Sequence, residues 1–328
     1  MAGEHAESYH GTVHPIAQFK AEEDALGLRR AALDGTDKDK DECAIINIIA
    51  NRSNDQRQEI KRAYNSLYGR DLEQDLKSKL IGDLQQLVLA LMESKPVYDA
   101  RCLRNAMKGL RTDDSVLIEI LCTRTNKEIH EIVSAYAAIR GHELEKDVML
   151  ETRGHFKSLL VKMCRASRDE SGLVDHSTAV RDAVELYEAG EKKWSTDESK
   201  FITILGLRNF EQLSATFEEY RKVAQIDIMN TIEHELSGDL KVAFRTVVQC
   251  VYSRPTYFAE RLHYSLAEKL LRVDDETLIR VVVSRSEIDL AEIKQRFMVL
   301  YHKSLYKMIE EKISGNYCKL LLAIVGLN

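Results

Sequence analysis

The sequence predicts an all-α protein built from four homologous repeats of about five short helices each. Two observations carry that prediction. An arginine follows an apolar run at four places, Arg52, Arg124, Arg208 and Arg285, and a glycine stands 30 residues beyond each, at Gly82, Gly154, Gly238 and Gly315. Twelve residues after each arginine comes an aromatic (Tyr64, Tyr136, Tyr220, Phe297), and twenty after it an aliphatic (Leu72, Leu144, Ile228, Leu305). Self-similarity at a period of about 70–85 residues marks a repeat array. Composition agrees, because 3 prolines, 7% aromatic, 44% hydrophobic and 30% charged content suit short-looped helices around a sizeable core.

Along the chain, residues 1–21 read as a tail, 22–93 as the first repeat and 94–166 as the second. A linker over 167–178 then leads to the third repeat, 179–253, and the fourth, 254–328. Ile60, Ala63, Tyr64 and Leu67 recur at helical spacing in the first repeat. Ile129, Ile132, Val133 and Tyr136 do so in the second, and Leu213, Thr216, Phe217 and Tyr220 in the third. Ser53 and Thr125 stand just ahead of these faces as helix caps, where a hydroxyl accepts from an orphan backbone N–H. Pro96 and Pro255 open the second and fourth repeats, where a first-turn proline costs no helical hydrogen bond. RDESGLVDHST, the longest connection, reads as a hinge.

Several classes are excluded. The net charge of −6 argues against nucleic acid as a partner. MAGEHAESYHGTVHPIAQF has no signal-peptide core, and nowhere do about 18 apolar residues run together, so the expectation is a soluble cytoplasmic protein. Six cysteines without a CxxC pair predict buried free thiols. No GxSxG, HExxH, P-loop or dinucleotide fingerprint occurs, and the paired carboxylates Asp147 and Glu151, or Glu233 and Glu235, have no nucleophile or base beside them. The chain does not read as an enzyme.

MKGLRTDDSVLIEILCTRTNKEI, AGEKKWSTDESKFITIL, and FAERL followed by SRSEIDL resemble annexin repeats. The resemblance runs from about Asp24 to Gly326. It implies a curved disk of four five-helix repeats, the first and fourth packed as one module. It further implies peripheral, calcium-dependent binding to anionic phospholipid membranes, self-association on the membrane, and a role in membrane organisation or vesicle trafficking. The tail with GTVHPIAQF is similar to the family's variable segment, which packs on the concave side and recruits cytoskeletal or vesicle proteins. A scaffold that binds such proteins largely without calcium is the alternative.

In the family, a Lys-Gly-x-Gly-Thr loop offers backbone carbonyls, and an acid 39 residues after the threonine completes the calcium shell. Calcium takes six to eight oxygens in flexible geometry, so carbonyls, one carboxylate, water and a lipid phosphate suffice. In the second repeat the resemblance implies carbonyl ligands from Met107, Gly109 and Arg111, ahead of Thr112, with Glu151 as the acid. In the third it implies Glu191, Lys193 and Ser195, with Glu235. Arg111 and Ser195 replace the second glycine, which predicts weakened affinity through strain. Lys40 and Val273 hold the threonine positions of the first and fourth repeats, and Lys79 and Lys312 hold the acid positions. An ammonium only donates, so these two sites are expected to be lost. Lys192, Trp194, Lys269, Leu270, Leu271 and Arg272 are candidates for direct lipid contact. The leucines equally fit a buried helix face.

LDGTDKDKDECAI, residues 33–45, admits two readings. It is a solvated charged loop, or a low-affinity calcium site built on Asp34, Asp37 and Asp39. An EF-hand is excluded, since Glu42 stands where that loop needs glycine.

Overall fold

The computed structural model describes residues 10–190, 197–267 and 272–327. Among them the chain is all-helical, without strands, and each repeat has five helices. The first repeat comprises α1 (Ala21–Arg29), extended by a π-helical turn over Arg30–Asp34, then α2 (Lys38–Ala50), α3 (Asn54–Tyr68), α4 (Leu72–Lys79) and α5 (Gly82–Met92). The second holds α6 (Lys95–Ala106), α7 (Asp114–Thr123), α8 (Asn126–Arg140), α9 (Leu144–Glu151) and α10 (Gly154–Cys164). The third holds α11 (His176–Ala189), α12 (Glu198–Leu207), α13 (Phe210–Ala224) and α14 (Ile228–Glu235), and ends in α15 (Gly238–Leu266). Helix α15 breaks at Ser253 (φ −169°), and its second half opens the fourth repeat, followed by α16 (Asp275–Arg285), α17 (Leu290–Tyr301), α18 (Leu305–Lys312) and α19 (Gly315–Val325). Pro255 sits in the first turn after that break, where Ser253 Oγ accepts from the Thr256 N–H at 3.3 Å.

The repeated residues have repeated tasks. Ser53 and Thr125 cap α3 and α8 through full capping boxes with Gln56 and Glu128. Each anchor glycine starts the fifth helix at φ between 58° and 70°, with nothing within 4 Å of an added Cβ. Glycine is therefore required by the backbone angle, not by space. The anchor arginines clamp the first helix of the repeat: Arg52 donates to Asp24 (2.5 and 2.8 Å), Arg124 to Asp99 (2.7 and 3.0 Å) and Arg208 to Asp182 (2.6 and 3.1 Å). Burial works against the charge of Arg124, but Asp99 outweighs it and holds the guanidinium above its ordinary pKa. In the fourth repeat Phe258 stands where Asp99 stands in the second. Arg285 accordingly stacks 4.6 Å over that ring and turns to Asp289 (2.7 Å).

The chain divides into two compact units, Met1–Tyr98 with Phe258–Asn328, and Asp99–Tyr257. The first and fourth repeats thus form one unit and the second and third the other. Ile60, Tyr64, Ile129, Ile132, Tyr136, Leu213, Thr216, Phe217 and Tyr220 are buried as their spacing predicts, and each large apolar side chain so buried contributes about 1.5–3 kcal/mol. Leu67 departs from the prediction at 51% exposure, because it lies in the last turn of α3, beyond the packed face. None of the six cysteines is in a disulfide, and burial pushes Cys122 and Cys164 up to about 12. No helix among the described residues is long and apolar enough to cross a membrane.

The segment read as a hinge is stitched into its unit. Arg168 donates to the Arg208 carbonyl (2.7 Å), Asp169 N–H to the Leu207 carbonyl (2.7 Å) and Asn126 to the Arg168 carbonyl (2.6 Å). Asp175 and Gln212 exchange two more bonds (2.7 and 3.0 Å). The described part of the tail docks on the first unit in the same manner. Thr12 and Val13 donate to the Ser286 carbonyl (2.7 and 3.0 Å), and Gln56 bonds both the N–H and the carbonyl of Ile16. At Gly11 a Cβ would lie 2.6 Å from the Glu287 backbone, so this close approach needs glycine.

Candidate metal centre

In the second repeat the loop between α6 and α7 is closed by the Asp113 N–H, which donates to the Ala106 carbonyl at 2.9 Å. Asp113 then caps α7 by accepting from the Ser115 N–H at 3.1 Å. Within the loop Gly109 takes φ 137°, a conformation that side chains rarely adopt. From α9, Glu151 reaches the loop, and Thr112 Oγ1 donates to its Oε2 at 3.0 Å across 39 residues. Glu151 and Met107 also line an open cavity of about 400 Å³ with Arg104, His142 and Asp147. Arg111 has no positive φ, so the strain expected from the missing second glycine is not stored in this conformation.

No described group of three or more His, Cys, Asp or Glu side chains could hold a metal. A cation here would depend on one carboxylate and the loop carbonyls, which is the donor set that the hard calcium ion accepts. By donor chemistry the second repeat is compatible with calcium, which Glu151 and the carbonyls of Met107, Gly109 and Arg111 would hold. Two side chains that sequence reasoning passed over frame the loop. Leu110 is fully exposed and Leu150 is 80% exposed. KGLRT contained the signal, an apolar residue inside a polar loop.

The third repeat keeps the same closure, Asp197 N–H to the Ala189 carbonyl at 2.9 Å, and Glu235 ends α14 exposed to solvent. Glu191, Lys192, Lys193, Trp194 and Ser195 lie outside the described residues. In the fourth repeat the closure is Asp274 N–H to the Ser265 carbonyl at 2.9 Å. Lys269, Leu270 and Leu271 lie outside the described residues; Arg272 is exposed and lines a cavity of about 610 Å³ with Lys312, Glu42, Asp83, Asp275 and Tyr317.

The first repeat is arranged differently. Asp37, not Asp41, caps α2, accepting from the Lys40 N–H at 3.3 Å and pairing with Lys40 Nζ at 3.1 Å. Those hydrogen bonds hold the Asp37 carboxyl below its ordinary pKa. Asp34 ends the π-helical turn and Asp39 lies in the first turn of α2, both exposed. Asp34, Asp37 and Asp39 are not gathered into a metal-holding cluster. Lys79 instead donates to the Asp41 carboxylate at 2.8 Å and to the Gly35 carbonyl at 3.4 Å.

A second set of acids emerges only in three dimensions. Ten residues before each anchor arginine stands Glu42, Asp114, Glu198 or Asp275, and after each anchor glycine stands Asp83, His155, Asp239 or Asn316. Asn316 donates to Glu42 at 2.6 Å, and His155 lies 3.8 Å from Glu198. Asp114 is pushed up to about 6, first by burial and then by the charges of Asp239 and Asp113. Asp275 is raised too, by burial, against the hydrogen bond from Tyr317 (3.0 Å).

Four five-helix repeats, the second of which sets a carboxylate against a glycine-containing loop, define a helical-repeat protein. The chain belongs to the annexin family, whose model matches residues 23–91, 98–163, 181–247 and 257–324. It is 50% identical over 317 residues to annexin A7 of Homo sapiens, covering 96% of this chain and 64% of that protein, so it spans less than two thirds of that relative. The solved structure of annexin III aligns with a TM-score of 0.94 and 42% identity, covering 98% of each chain. The structure of calcium-bound annexin (Sm)1 aligns with a TM-score of 0.85 and 34% identity, covering 97% of this chain and 93% of the other.

Proposed function

We propose that this chain is a cytoplasmic protein that binds anionic phospholipid surfaces peripherally, with calcium support from the loops of its second and third repeats. The observation that carries the proposal is the bond between Thr112 and Glu151, which brings a carboxylate against a glycine-containing carbonyl loop. Calcium bound there would supply a positive charge shared between protein oxygens and lipid phosphate. Glu151 sets the charge of the loop, Gly109 permits its turn, and Leu110 and Leu150 offer apolar side chains to the interfacial layer. By sequence position, Glu191, Lys193, Ser195 and Glu235 have the corresponding roles in the third repeat, while Lys192, Trp194, Lys269, Leu270, Leu271 and Arg272 are proposed lipid contacts.

Co-sedimentation with phosphatidylserine vesicles across a calcium titration tests this. Binding is expected to rise with calcium and to reverse with chelator; no binding at millimolar calcium would overturn the proposal. A second reading, a calcium-independent scaffold for cytoskeletal or vesicle proteins that self-associates on membranes, draws support from Lys79 and from the docked tail. Retention on vesicles in excess chelator would favour it.

A further inference from the structure

We propose that the first-repeat loop is a cation loop whose cation is the protein's own Lys79 ammonium, plugging a latent divalent-cation site and holding the loop closed at any calcium concentration. Lys79 and Glu151 occupy the same repeat position, three residues before Gly82 and Gly154. Where the second repeat has a carboxylate facing its loop, the first has an ammonium, within 3.4 Å of the Gly35 carbonyl and 2.8 Å of the Asp41 carboxylate. A backbone carbonyl and a carboxylate around one positive charge are the donors that a calcium loop uses.

The identity of Asp41 strengthens the inference. It lies eleven residues before Arg52, the position that Asp113, Asp197 and Asp274 occupy before their own arginines. Each of those three is the N-cap of the second helix of its repeat. In the first repeat α2 starts a turn earlier, at the Asp37 cap, so Asp41 lies inside the helix with its carboxylate free of the capping task. That carboxylate lies over the loop backbone: a Cβ on Gly35 would fall 2.2 Å from it.

The pair is not a surface contact, as the side chains of Lys79 and Asp41 are only 18% and 13% exposed. Surface ion pairs exchange with water at little cost, whereas a mostly buried pair leaves an uncompensated charge when one partner goes. The ammonium is also tethered, so no ion concentration governs its presence. An entering divalent ion would meet it as a like charge. The inference stands on this geometry and does not require that the second-repeat loop bind calcium.

Hydrogen exchange of the full chain, followed in the peptide spanning residues 35–45 with and without millimolar calcium chloride, tests it. In the unmodified protein exchange there is expected to be the same in both conditions. Lys79→Gln is expected to speed it about tenfold by opening the loop. Lys79→Glu sets a second carboxylate beside Asp41, so its exchange is expected to fall when calcium is added, and calorimetric titration should find one more bound calcium than in the parent. Calcium protection of this peptide in the unmodified protein, unchanged exchange in Lys79→Gln, or no added calcium in Lys79→Glu would each overturn the proposal. Should Lys79→Glu fail to fold, Asp41→Asn breaks the same pair from the other side. It is expected to speed exchange about tenfold with Lys79 in place, and unchanged exchange would overturn the proposal equally.

Discussion

The first and second repeats share a frame and differ in the charge that faces their loops. Both have an anchor arginine clamped to an aspartate of the first helix, Arg52 to Asp24 and Arg124 to Asp99. In both a tyrosine hydroxyl donates to an aspartate eleven residues on, Tyr64 to Asp75 at 2.7 Å and Tyr136 to Asp147 at 2.6 Å. On that common frame one repeat sets Glu151 and the other Lys79 against its loop. Frame and loop are therefore separable: buried clamps maintain the repeat, while a single position at the end of the fourth helix decides what charge the loop meets.

Breaking the frame should have the largest effect. Arg124→Met leaves Asp99 buried without its cation and is expected to cost about 3–5 kcal/mol in urea unfolding. Arg52→Met, whose pair is more exposed, should cost less. Equal losses would show that burial does not set the cost of the clamp.

Removing the acids comes next. Glu151→Gln together with Glu235→Gln should raise the calcium midpoint of vesicle binding at least about tenfold, equivalent to roughly 1.4 kcal/mol, with the melting temperature little changed. An unaltered midpoint would detach these residues from calcium. Smaller again is Arg111→Gly. If an ion draws the loop into positive φ, glycine should lower the midpoint by up to about tenfold, since that strain costs about 1–2 kcal/mol. No change would mean that the loop takes its ion in the conformation found here.

The smallest effect concerns pH. Asp114 titrates near 6 in the folded chain against 3.8 ordinarily, so the folded protein holds this proton more tightly. Its stabilising contribution is complete below about pH 4 and is lost as pH rises through about 6. At pH 7 the charged carboxylate facing Asp239 and Asp113 is unfavourable, with Arg111 offsetting part of it. Asp114→Asn should then raise the melting temperature by about 2 °C at pH 7 and by nothing at pH 4. A gain that is the same at both values would exclude this origin.

Much of this was legible in the chain before it was folded. Arg-to-glycine spacing, the Ser53 and Thr125 caps and the buried faces all depend on residues near one another in sequence, where helix geometry does the bookkeeping. Glu151 was legible because the repeat register carries it. The partner of Lys79 was not: pairing by register set Lys79 against Lys40, yet the early start of α2 delivers Asp41 to it. Nor did RDESGLVDHST reveal its hydrogen bonds to Leu207, Arg208 and Gln212, since polar composition resembles a free loop until its partners are known.

The sequence by itself determined the all-helical class, the four repeats, the family and the repeat position that faces the loop in the first and second repeats, because periodicity and spacing are one-dimensional properties. Only the tertiary structure decided which charges meet there. Thr112 with Glu151, Lys79 with Asp41 and Gly35, and Asp114 facing Asp239 join residues 38 to 125 positions apart. The strength of such contacts follows distance and burial, neither of which is set until the helices have packed.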